Sequence, residues 1–148
     1  LGRSALLYDI FSMEEGDAPT VNLREELNAG MFILEINRKR IIEAAHDISD
    51  GGLIVAIFEM CVHSNTGVEI KKAEPDWYFS ESQGRYIISV EEANIETLNS
   101  TAKEMNIGLE QVGVVGGNRF IVGKQSSDLK SLQKLYFRGL NKLFYCKV

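Results

Sequence analysis

The sequence is poor in cysteine, proline and tryptophan: its 148 residues include only 2 Cys, 2 Pro and 1 Trp. The two cysteines, Cys61 and Cys146, form no Cys-x-x-Cys pair, which excludes a zinc framework or a disulfide scaffold. A reducing cytoplasm is the simplest setting for such a chain. No repeat, low-complexity tract or Pro/Gly-rich linker divides it, so one domain across residues 1–148 is expected. Long apolar runs are also missing. The stretch Leu53–Phe58 falls far short of the roughly 18 residues of a membrane span. Nor is there an excess of basic charge: 16 Lys+Arg against 21 Asp+Glu leave a net charge of −5, which argues against a nucleic-acid partner. The chain opens Leu1-Gly2-Arg3-Ser4, without an initiator Met or a signal segment, and reads as an internal piece of a longer polypeptide. What is present is a hydrophobic fraction of 45%, enough for a packed core.

A short helix is expected around Ser4–Phe11, followed by a polar stretch to Thr20. Asn22 stands three residues before Glu25, the spacing of a capping box. Leu23, Leu27, Met31 and Leu34 continue at helical spacing and predict a helix to about Asn37. Ile41–Ile48 reads as a buried strand, and Leu53–Val62 as a helix apolar on nearly every side. Val68–Ile70 reads as a short strand, with a loop holding Pro75 and Trp77 behind it. Arg85–Val90 reads as a strand and Glu92–Asn106 as a surface helix. Leu109–Val115, the turn Gly116-Gly117-Asn118 and Arg119–Val122 together suggest a β-hairpin. Ser127 or Asp128 should cap a last helix with Leu129, Leu132, Tyr136, Leu140 and Leu143 on one face and Lys130, Lys134, Arg138 and Lys142 solvated. These elements predict an α+β fold, a mixed β-sheet covered by helices, with a layered α/β arrangement as the near alternative.

The segment His46-Asp47-Ile48-Ser49-Asp50-Gly51-Gly52-Leu53 joins the expected strand to the apolar helix. A helix start offers unpaired N–H groups and partial positive charge, which suit a phosphate. Gly51 and Gly52 would let a ligand approach the backbone, while His46, Asp47 and Asp50 could hold Mg²⁺ or a ribose hydroxyl. The same residues also fit a purely structural turn, with Ser49 or Asp50 capping the helix. Both readings stand open. In Phe79-Ser80-Glu81-Ser82-Gln83-Gly84-Arg85, the side chains of Glu81, Gln83 and Arg85 could grip a polar ligand. The alternative is a polar strand entry with a local Glu–Arg pair. His63, at the end of the apolar helix, fits a packed or capping role better than a ligand role.

The first of these segments resembles the aminoimidazole-ribonucleotide-synthetase superfamily, in its carboxy-terminal type of domain. Thiamine monophosphate kinase carries a related Asp-(Ile/Val)-Ser-Asp-Gly segment. Leu1-Gly2-Arg3-Ser4-Ala5-Leu6-Leu7, Val21-Asn22-Leu23, Ala44-Ala45-His46-Asp47, Phe79–Arg85 and Gly113-Val114-Val115-Gly116-Gly117 narrow the resemblance to the phosphoribosylformylglycinamidine synthase family, over essentially the whole chain and in the expected order. Arg3 and Ala5 depart from that family's small or acidic residues. The resemblance implies the last domain of a synthetase subunit that uses ATP and Mg²⁺ to convert formylglycinamide ribonucleotide to its amidine in purine biosynthesis. It implies as partners the preceding domains of the same polypeptide and a glutaminase domain or subunit, with a small accessory subunit if the complex is of the small type. It marks His46, Asp47, Ser49, Asp50, Gly51, Gly52, Glu81, Gln83 and Arg85 as phosphate- or nucleotide-binding, with Asp47 and Asp50 toward metal, and no catalytic residue in this piece. Cut from its neighbours, the piece is expected to be inactive and to self-associate through exposed apolar surface, the helix Leu53–Val62 being the suspect. A packing module without a ligand of its own is the competing class.

Overall fold

The computed structural model describes residues 1–71 and 75–144, without the side chains of 75 and 139–144. The described residues fall into two compact units, Leu1–Met60 with Glu74–Gln111, and Cys61–Ala73 with Val112–Val148. The α+β reading holds, but the strands divide between two sheets: a two-stranded pair in the first unit and a four-stranded mixed sheet in the second.

In the first unit, a single wide helical turn at Leu6–Ile10 precedes helix α1 (Leu23–Arg38). Asn22 Oδ1 accepts from the amides of Arg24 and Glu25 at 3.2 and 3.3 Å, supplying the expected cap. The apolar row that predicts this helix is not the row it buries. Leu23, Leu27, Met31 and Leu34 are 49–77% exposed, whereas Phe32 and Ile36 are 2% and 0% exposed. Phe32 and Ile36 pack with Ile41, Leu98 and Ala102, the last two from helix α4 (Ile95–Glu104). The helix carries two apolar faces, and only one finds a core among the described residues. Strand β1 (Ala44–Asp47) pairs antiparallel with β3 (Tyr86–Ser89), with Asp47 opposite Tyr86 and His46 opposite Ile87.

Helix α2 (Gly52–Ser64) contributes to both units. Its Leu53, Ala56, Ile57, Cys61 and Val62 are buried, so this helix is not the exposed apolar surface; exposed large apolar side chains lie instead on α1 and at Tyr8, Ile10, Phe11, Val114, Val115, Leu135 and Phe137, among others. Asn65, with φ of 52°, follows its last turn in the left-handed conformation that commonly ends helices. Helix α3 (Pro75–Phe79) occupies the place of the expected loop, proline standing at its first position, where no N–H is needed.

In the second unit, strands β2 (Val68–Ile70), β4 (Gly113–Val115), β5 (Arg119–Val122) and β6 (Gln125–Asp128) lie in the order β4-β2-β5-β6. The expected hairpin of β4 with β5 is therefore absent. β2 lies between them, antiparallel to β4 and parallel to β5. The amide of Gly67 donates to Gly117 O at 2.9 Å, and that of Gly116 to Gly67 O at 2.8 Å. Residue 67 runs so close to Arg119 that a Cβ there would collide with the Arg119 backbone, and glycine is what admits the strand. The actual hairpin joins β5 to β6, with Val122 opposite Gln125. Asp128 caps helix α5 (Leu129–Phe144), accepting from the Ser131 amide and hydroxyl at 2.9 Å each. Ser127 belongs to β6, opposite Phe120, and does not cap the helix. On α5, Leu129 is buried and Tyr136 exposed, and Leu140 and Leu143 lie outside the described side chains.

Candidate functional site

The β1–β3 ladder brings the two polar motifs together. Ile48 N donates to Arg85 O at 3.0 Å, extending the pairing one step beyond Asp47 and Tyr86. The turn 49–52 thus leaves the sheet beside the loop 80–85 that enters β3. Gly51 and Gly52 both take positive φ, 83° and 73°. A Cβ on Gly51 would overlap the Val55 side chain, and one on Gly52 would lie 2.5 Å from Tyr78 O and 2.8 Å from Phe79 Cα. The two glycines are thus required by the turn itself, whether or not a ligand approaches it.

The cap of α2 comes from an unexpected quarter. Neither Ser49 nor Asp50 bonds the helix through its side chain; both are exposed. Glu81 Oε1 instead accepts from Gly51 N at 2.8 Å and from Ala5 N at 2.8 Å. Gly52 N donates to Ser49 O at 2.9 Å, closing the turn. Within the loop, Ser80 and Ser82 share a hydroxyl–hydroxyl bond of 2.9 Å, and Arg85 donates from Nη1 to Ser80 O at 3.1 Å. Burial pulls the Arg85 guanidinium below its usual range, opposed in part by the charge of Glu110. The expected Glu81–Arg85 pair is not formed, because each group is engaged with backbone instead.

His46 is held at both ring nitrogens. Nε2 lies 3.2 Å from Glu59 Oε2, and Nδ1 lies 2.6 Å from Asp47 O. Either ring nitrogen can donate to the oxygen beside it, and the two contacts together orient the ring. Glu59, on α2, escaped the sequence reading, although a lone acid within an apolar helix was a visible signal. The Asp47 side chain is 68% exposed, and Asp50 and Gln83 are also exposed. Among the described residues, no three His, Cys, Asp or Glu side chains gather as a metal cage. His63 is exposed and so is not packed. Cys61 is buried, and desolvation pushes its thiol up to about 11, which makes it an inert core residue. The arrangement offers exposed carboxylates beside a glycine turn, with the two motifs held in fixed register.

The family described as AIR synthase related protein, C-terminal domain, matches residues 4–124. The phosphoribosylformylglycinamidine synthase subunit PurL of Zymomonas mobilis is 40% identical over 148 residues, covering 97% of this chain and 20% of that protein. The same subunit of Cereibacter sphaeroides is 39% identical over 139 residues, covering 94% of this chain and 19% of that protein. Among solved structures, phosphoribosylformylglycinamidine synthase II of Thermotoga maritima superposes with a TM-score of 0.67 at 19% identity, over 89% of this chain and 24% of that one. T. maritima PurL complexed with FGAR gives 0.61 at 21% identity, over 73% and 21%. The chain spans about a fifth of the length of its curated relatives. By the family match and the shared fold, the chain belongs to the AIR synthase related proteins, as their C-terminal domain.

Proposed function

We propose that this chain, over residues 1–148, is the C-terminal domain of an AIR-synthetase-like unit within a phosphoribosylformylglycinamidine synthase. That ligase uses ATP to activate the amide oxygen of formylglycinamide ribonucleotide as an iminophosphate. Ammonia from glutamine, delivered by a glutaminase subunit with a small accessory subunit, then displaces phosphate in the cytoplasm. The observation that carries the reading is the 40% identity to a PurL subunit along 97% of this chain. It favours the ligase over a related kinase. In this reading the turn 49–52 and the exposed Asp47 and Asp50 face a phosphate or nucleotide, with Ser49, His46, Gln83 and Arg85 around them. Mg²⁺ is often held by one or two carboxylates plus substrate phosphates, which suits Asp47 and Asp50 in the absence of a three-ligand cage among the described residues. It would neutralise phosphate charge there.

The chain contributes binding surface and no catalytic residue, so it is inactive alone. The exposed row Leu23, Leu27, Met31 and Leu34 is covered by preceding domains of the polypeptide and drives self-association without them. A second reading, a packing module without a ligand, draws support from Gly51 and Gly52, whose tight surroundings need no ligand to explain them. Asp50→Asn in the full-length synthase separates the two. The first reading expects about tenfold weaker nucleotide or substrate binding, equivalent to about 1.4 kcal/mol, with altered Mg²⁺ dependence and an unchanged melting temperature. Unchanged affinity and Mg²⁺ dependence would leave the packing module.

A further inference from the structure

We propose that Glu81 is a positioning residue, a latch whose one carboxylate oxygen ties the segment leading into the first helical turn to the turn that opens α2. Oε1 accepts from Ala5 N and Gly51 N at 2.8 Å each, donors 76 and 30 residues away in sequence. Both amides precede helical segments, where N–H groups lack intrahelical partners. A carboxylate is the stronger kind of acceptor for such donors, and Glu81 is shielded in part from water. The latch stands on a braced loop. Arg85 holds Ser80 O, Ser80 and Ser82 share their hydroxyls, and Gly84 takes φ of 71° with its Cβ position 3.2 Å from Glu26 Cα on α1. At the other end, Ser4 is 1% exposed and Ser4 N donates to Leu1 O at 3.1 Å, so the latched segment is itself folded. Three segments therefore meet at one oxygen, and Glu81 acts through Gly51 instead of on a ligand. Its consequence for phosphate binding rests on the reading of the turn given above, whereas the latch does not.

The test is amide hydrogen exchange and proton chemical shift at Ala5 and Gly51, by NMR on the full-length protein ¹⁵N-labelled in this segment, without ligand. In the unsubstituted chain both amides are protected. Glu81→Ala releases both together, with exchange at least about tenfold faster at each. Glu81→Gln keeps an acceptor oxygen and retains most of the protection. Ala5→Pro removes one donor at a backbone φ of −55° that suits proline, and should loosen residues 1–4 while Gly51 stays protected. The Glu81→Gln and Ala5→Pro pair decides the matter if Glu81→Ala does not fold. Loss of protection at one amide without the other in a Glu81 variant, or no change at residues 1–4 in Ala5→Pro, overturns the latch. The readout needs no ligand, so it fails or succeeds independently of the Asp50→Asn experiment.

Discussion

The chain contains two glycine pairs, Gly51-Gly52 and Gly116-Gly117, that look alike in sequence and behave differently in structure. At the first, both residues have positive φ and neighbouring atoms already occupy the space a side chain would fill. At the second, only Gly117 has positive φ, 65°, and nothing lies within 4 Å of either Cβ position. The first pair is fixed by packing as well as by conformation, the second by conformation at one residue. A glycine pair therefore says that the chain turns, while its surroundings say whether anything else can be put there.

Substitution should grade this contrast. Gly52→Ala combines a left-handed backbone with a collision against the Tyr78 and Phe79 main chain, which cannot move cheaply. We expect a loss of about 3 kcal/mol or more by chemical denaturation. Gly51→Ala meets the Val55 side chain, which can adjust, and should cost about 2 kcal/mol. Gly117→Ala pays only the conformational penalty, about 1 kcal/mol. Gly116→Ala should be neutral or stabilise by about 0.5 kcal/mol, because it restricts the unfolded chain at no structural cost. Equal losses at Gly52 and Gly117 would break the contrast. A smaller effect concerns Asp128, whose carboxyl is held below its usual range, first by the Ser131 hydroxyl and then by the Ser131 amide. A depressed carboxyl stabilises the folded state above its unfolded pKa of about 4 and loses that contribution as pH falls through the folded value. Ser131→Ala should raise the Asp128 titration midpoint, and the stability gap to the unsubstituted chain should close in acid.

Periodicity and capping residues made most helices legible, and the resemblance over the whole chain made the family legible. Four features were not. Strand order failed at β4 and β5, because a local turn signal says nothing of a third strand inserted between its arms; Gly67 carries that information only through its contact with Arg119. The buried face of α1 failed because two apolar rows share one helix, and which one meets a core is decided by tertiary partners such as Leu98. The α2 cap failed because sequence reasoning looks within the capping turn, while Glu81 reaches Gly51 from 30 residues away. The register of the two site motifs likewise came from β1–β3 pairing, a long-range fact.

The proposed function rests on the turn 49–52 facing a phosphate in the full-length protein. Its most direct test is hydrogen–deuterium exchange over residues 46–59 of the full-length protein, with and without ATP or formylglycinamide ribonucleotide, the ligands of the proposed activity. The account predicts slower exchange at residues 49–54 on adding one of these ligands, with residues 113–122 unchanged. Identical exchange across 49–54 under saturating amounts of both would contradict it.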